Sequence, residues 1–116
     1  MTTQFIHDLQ VEIEGVGPPL LFIHGLGGTS NTITPQVSAL AARYQVIRPD
    51  LPGAGRTGML GSPSLREIAA RMLTLLAELK HSKVGLIGHS MGTVVCQYLA
   101  EEGRDLVSRM VLLGRR

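Results

Sequence analysis

Ser90 stands with a glycine two residues away on either side, in Gly88-His89-Ser90-Met91-Gly92. A serine hydroxyl is a weak nucleophile, and it attacks a carbonyl only when its Oγ is exposed and an adjacent base accepts the proton. A sharp strand-to-helix turn supplies the exposure, and such a turn leaves no room for side chains two positions before and after the nucleophile. The flanks fit this demand. Val84-Gly85-Leu86-Ile87 is a short apolar run of strand type, and residues 93–102 read as a helix closed by Gly103. The stretch therefore reads as a nucleophile elbow. A glycine-rich turn with an incidental serine would need neither the strand before it nor the helix after it.

A second candidate lies earlier. The apolar run 20–23 ends in His24-Gly25-Leu26-Gly27-Gly28, where small residues let backbone N–H groups approach a ligand closely enough to stabilise an oxyanion. His24 itself is read as hydrogen-bonding this loop rather than moving a proton. His7 and His81 read as exposed. Residues 53–58, Gly-Ala-Gly-Arg-Thr-Gly, match the spacing of a dinucleotide fingerprint, but Met59-Leu60-Gly61-Ser62-Pro63 separates them from the next helix. A pyrophosphate site needs that helix N-terminus directly, and an acid ending a strand about twenty residues on, which is missing as well. Nucleotide binding is not expected, nor is any other cofactor or metal.

These candidates need a scaffold. Residues 4–7 and 11–14 alternate as a half-exposed strand pair would, residues 15–19 form a loop, and 20–23 have the continuous apolar character of a strand buried on both faces. Thr34-Pro35 opens a helix whose apolar stripe is Val37, Leu40, Ala41 and Tyr44. Residues 45–48 form a strand stopped by Pro49. Residues 64–79 form the clearest helix, with Ser64 and Glu67 as a capping box, and 107–113 form a last strand. Strand and helix alternate from residue 20 onward, which predicts one α/β domain over 1–116. Its sheet would be mostly parallel, with about six strands, three flanking helices and its site at the strand C-terminal ends.

The composition narrows the function. A net charge of +2 spread along the chain, with two Tyr, two Phe and no Trp, lacks the basic, aromatic footprint of a nucleic-acid binder. Hydrophobic residues make up 44%, enough for a core, yet no apolar run approaches a membrane span and the N-terminus has no signal-peptide pattern. A cytoplasmic protein is expected. The single cysteine, Cys96, falls in the helix after the elbow as a small buried hydrophobe.

With these residues in view, the whole chain resembles the N-terminal part of an α/β-hydrolase. Residues 22–28 resemble the family's oxyanion loop, 48–57 its loop after the fourth strand, and 88–92 its elbow. Within the family it is similar to lactonases of the 3-oxoadipate enol-lactonase type, to carboxylesterases and to cofactor-free peroxidases. The resemblance implies Ser90 as nucleophile, the N–H groups of Leu26 and Met91 as oxyanion hole, and a small ester or lactone hydrolysed through an acyl-serine. It also implies a base and an acid after the serine, in the order Ser, Asp or Glu, His. After Ser90 the sequence has no histidine and, as acids, Glu101, Glu102 and Asp105. The chain thus reads as a truncated hydrolase without its last strands, cap, triad acid and histidine, ending in Gly114-Arg115-Arg116 as after a frame change. The competing reading is a non-catalytic module of the same partial fold that binds a partner, or a degraded reading frame. In either case the last strand, exposed at the sheet edge, could self-associate.

Overall fold

The computed structural model describes residues 2–6, 9–24, 39–50, 64–81, 83–89, 91–103 and 105–113. Its strands are β1 (Thr2–Ile6), β2 (Leu9–Glu14), β3 (Pro19–Ile23), β4 (Gln45–Pro49), β5 (Val84–His89) and β6 (Val107–Leu113). Two helices, α1 (Leu65–Glu78) and α2 (Met91–Glu102), are described in full, and residues 39–41 are also helical. The predicted cap at Thr34-Pro35, His7 and the glycine-rich stretch 53–58 lie outside the described residues.

The six strands form one sheet in the order β1-β2-β4-β3-β5-β6. β3, β4, β5 and β6 run parallel, and β2 joins them antiparallel through β4. The predicted α/β architecture is therefore present. Sequence periodicity explains the layering. Alternate residues of the strands, among them Leu9, Val11, Leu21, Ile23, Ile47, Val84 and Leu86, point to one face. There they bury the apolar stripe of α1 (Ile68, Ala69, Met72, Leu75, Leu76) and Val95, Cys96 and Leu99 of α2. On the opposite face Phe22 and Ile87 pack with Leu40 and Ala41.

Local chemistry sets the ends of these elements. Ser64 Oγ accepts from the Glu67 N–H at 3.1 Å, and Glu67 Oε1 accepts from the Ser64 N–H at 2.7 Å, so the predicted capping box starts α1. At residues 39–44 the helix ends earlier than the apolar stripe implied. The helical residues end at Ala41, and the N–H groups of Arg43 and Tyr44 both donate to the Leu40 carbonyl as the chain leaves the helix. The turn is held by Gly15, whose φ of +91° and missing side chain admit the chain; a Cβ there would lie 2.3 Å from the Tyr44 oxygen. Pro49, expected to stop β4, is its last residue, opposite Val11. His81, expected to be solvated, is half-buried, and burial lowers its pKa. None of the described helices is long and apolar enough to cross a membrane.

The alternation in residues 11–14 predicts a half-exposed β2, and the structure corrects this. β2 lies between β1 and β4, and Gln10 and Glu12 are buried with it. Directly opposite Glu12 on β4 is Arg48, only 2% exposed, whose Nη2 donates to Glu12 Oε1 at 3.2 Å. A charge buried this deeply persists only when paired, and removing one partner strands the other at a cost of about 3–5 kcal/mol. Glu12→Ala is expected to destabilise the fold by about that amount in urea denaturation. The double variant Glu12→Leu/Arg48→Met, which removes both charges, should recover most of the loss.

Candidate active site

Parallel pairing aligns three strand ends. Leu21 of β3 stands opposite Ile47 of β4, and Ile23 of β3 opposite Gly88 of β5, so the chain leaves all three strands at one edge of the sheet. His24 follows β3 and Asp50 follows β4; they are 1% and 0% exposed, and each has a polar partner. The Asp50 N–H donates to the Gln10 carbonyl at 2.9 Å, anchoring this exit to β2.

At β5 the strand ends at His89 and α2 opens at Met91, leaving the single position 90 between them. Ser90 lies outside the described residues, as does Leu26. Met91 is the first residue of α2, where a backbone N–H has no partner within the helix. The two glycines behave as the elbow demands. A Cβ on Gly88 would lie 2.7 Å from the Gly92 oxygen and 2.8 Å from Cys96 Sγ. A Cβ on Gly92 would lie 2.1 Å from the Ile23 oxygen and 3.0 Å from the His24 oxygen. The first turn of α2 is thus seated directly on the end of β3, where the loop from His24 begins.

The other titratable groups are arranged less usefully. His89 is partly buried at the end of β5, with its Nδ1 buried and, among the described residues, without a hydrogen-bond partner. His81 precedes β5 and is therefore separated from His89, at the other end of that strand, by the strand's length, roughly 20 Å. Glu101 and Glu102 close α2 about 18 Å from its start, where both pair with Arg66 of α1, whose guanidinium also lies 4.4 Å from the centre of the Tyr98 ring. Asp105 is exposed just beyond. Among the described residues no group of three or more His, Cys, Asp or Glu could hold a metal ion. The buried polar row Gln10, Glu12, Arg48 and Asp50 is the feature that alternation concealed; the signal was an arginine inside the apolar run of β4, which burial obliges to find a carboxylate.

A family model for the alpha/beta hydrolase fold matches residues 18–115. The chain belongs to this family. This alpha/beta hydrolase is 36% identical over 113 residues to pyrrolizixenacetamide deacetylase of Xenorhabdus hominickii, covering 94% of this chain and 42% of the relative. Among solved structures it resembles the epoxide hydrolase CorEH, with a TM-score of 0.92, 32% identity and coverage of 98% of this chain and 41% of that one. A thermophilic esterase from Thermogutta terrifontis gives a TM-score of 0.86 at 30% identity, over 90% of this chain and 39% of the esterase. The alpha/beta hydrolase chain thus spans about two fifths of the length of these relatives.

The packing beneath position 90 makes two predictions. Gly92→Ala sets a methyl group against backbone atoms that cannot rotate away, so the helix must shift; a loss of about 2–3 kcal/mol in urea denaturation is expected. Cys96, fully buried against Gly88, has its thiol pushed up to about 12 from 9.0 by burial. It should resist thiol reagents at pH 8 until the chain is unfolded. Because the folded state holds this proton more tightly, the contribution is whole below pH 9.0 and is lost as pH rises toward about 12.

Proposed function

We propose that this chain is the nucleophile-bearing part of a serine hydrolase acting on a small ester or lactone, working in the cytoplasm. The observation that carries the reading is the strand β5, one intervening residue and the helix α2, with Gly88 and Gly92 too crowded to accept a Cβ. In this reading Ser90 Oγ attacks the substrate carbonyl as its proton passes to a base. The N–H groups of Met91 and Leu26 stabilise the developing oxyanion. Collapse of the tetrahedral intermediate expels the alcohol, which takes that proton from the base, and leaves an acyl-serine; the base then takes a proton from the attacking water and passes it to Ser90 Oγ as the acid is released. The base and its acid partner belong to a region outside these 116 residues. No histidine follows Ser90, and Glu101 and Glu102 are engaged with Arg66 at the far end of α2.

The likeness to an epoxide hydrolase raises a second reading, which the residue at position 90 weighs against. Opening an epoxide with a serine would give an alkyl ether, which has no carbonyl for water to attack, so the enzyme could not turn over. An acyl-serine has one. The deacetylase and esterase among the relatives are named for acyl chemistry, consistent with this preference.

The 116-residue chain, its Ser90→Ala variant and a longer form supplying a downstream acid and histidine are to be compared on p-nitrophenyl acetate. Loss of triad partners leaves residual catalysis of about a thousandfold to ten-thousandfold over water, from oxyanion hole and binding alone. The short chain and its Ser90→Ala variant should therefore be indistinguishable above background, with Ser90-dependent turnover appearing in the long form. Robust turnover by the short chain that Ser90→Ala abolishes would place the base within these residues and refute the split.

A further inference from the structure

The strand register, carried one residue past the strand ends, sets four polar side chains in a row. β3 and β4 pair Leu20 with Val46 and Leu21 with Ile47, so His24 comes level with Asp50. β2 and β4 pair Val11 with Pro49, which brings Asp50 level with Gln10, and the bond from the Asp50 N–H to the Gln10 carbonyl continues that ladder. β3 and β5 pair Ile23 with Gly88, which brings His24 level with His89 on its other side. Leu9, Val11, Leu21, Ile23 and Ile47 face α1 and α2, so by alternation Gln10, Asp50 and His24 share the opposite face with Phe22. All three are buried, and it is this chain that encloses them.

Neighbouring strands lie about 4.7–4.9 Å apart, so an imidazole and a carboxyl group level on one face are within reach of each other. Buried polar groups of this kind require partners, and both residues have one. Glu12 stands one step deeper on this face, where it accepts from Arg48. His89 Nδ1 has no hydrogen-bond partner among the described residues, so it does not accept from His24. We propose that a ring N–H of His24 donates to the Asp50 carboxylate, and that His24 is thereby a positioning residue for the segment that carries Leu26. The bond follows from the register; its consequence rests on the hydrolase reading. His24 begins that segment two residues before Leu26, and its carbonyl lies against the first turn of α2, 3.0 Å from where a Cβ on Gly92 would stand. A charge-assisted bond shielded from water ties the start of the segment to β4. Oxyanion donors stabilise charge only when held in place beforehand, so this tether acts on the donor at Leu26 while His24 itself moves no proton.

The test is proton–nitrogen NMR of the 116-residue chain, reading the His24 ring N–H after assignment through the ring to the His24 backbone. A ring N–H resonance far downfield and slow to exchange with water is expected. Asp50→Asn keeps the shape but replaces the charged acceptor with a neutral amide, and should move this resonance upfield and speed its exchange. In the longer form that supplies a downstream acid and histidine, Asp50→Asn should lower kcat on p-nitrophenyl acetate by about tenfold to a hundredfold, the scale of a small misplacement at an active site. KM should change little, because the donors act in the transition state. A parent chain without a protected His24 ring N–H overturns the bond, whether or not any variant folds. A resonance that a folded Asp50→Asn leaves in place overturns it as well. An unchanged kcat in that variant overturns the positioning role. A long form lacking Ser90-dependent turnover instead overturns the hydrolase reading and the positioning role with it, and the ring N–H then decides the bond alone.

Discussion

The arrangement depends on one close approach, the first turn of α2 resting on the last carbonyls of β3 with no space for a methyl group between them. That contact fixes where the helix can begin. It brings the start of the segment after β3 to the start of α2, so two elements distant in sequence meet at one sheet edge. The approach is possible because glycines stand at 88 and 92 and because Cys96, one helical turn past Gly92, fills the space beneath Gly88 without a branched side chain. The helix could not move outward without uncovering Val95 and Leu99, which close the apolar layer between sheet and helices.

The second organising interaction is the buried pairing of Arg48 with Glu12. It sits in the antiparallel junction where the β1–β2 pair joins the parallel part of the sheet, a junction that apolar contacts would tolerate in several registers. A buried ion pair is a modest source of stability but discriminates strongly among alignments, since a slip of one residue would separate the charges onto opposite faces. With the register fixed, Asp50 meets the Gln10 carbonyl and β4 ends level with its neighbours.

Much of this was legible in the amino-acid order because the relevant signals are local. Ser64 and Glu67 mark the start of α1, the apolar stripe to Leu76 marks its buried face, and the glycines around position 90 mark the turn between β5 and α2. The unread parts depend on neighbours distant in sequence. Glu12 alternates with apolar residues as a solvent-facing side chain would, and only the arrival of Arg48 on β4 beside it supplies the partner that its buried carboxylate needs. Tyr44 continues the spacing of the preceding helix, yet the chain is already leaving it there, packed too closely on Gly15 to admit a side chain. Of the candidate site, Met91 is placed at the head of α2, while the roles assigned to Ser90, Leu26 and Met91 rest on chemistry and resemblance.

The strand order also bears on how the chain comes to fold. β2 and β3 are consecutive in sequence but are not neighbours in the sheet, because β4 lies between them. The short segment 15–18 must therefore bridge a gap of two strand spacings, about 9–10 Å, before anything fills it. As the polypeptide emerges from a ribosome, the vacancy stays open until β4 is made some twenty residues later. After β4 inserts, β5 and then β6 can each add to a free side in the order of synthesis. The pairing of β3 with β5 sets Leu20 against Gly85, far more distant in sequence than the Leu20–Val46 and Val11–Pro49 pairs that β4 makes, and contacts between distant residues slow folding. On that ground the slow pairing is β3 with β5, which has to wait until the strand leading into the elbow has been made.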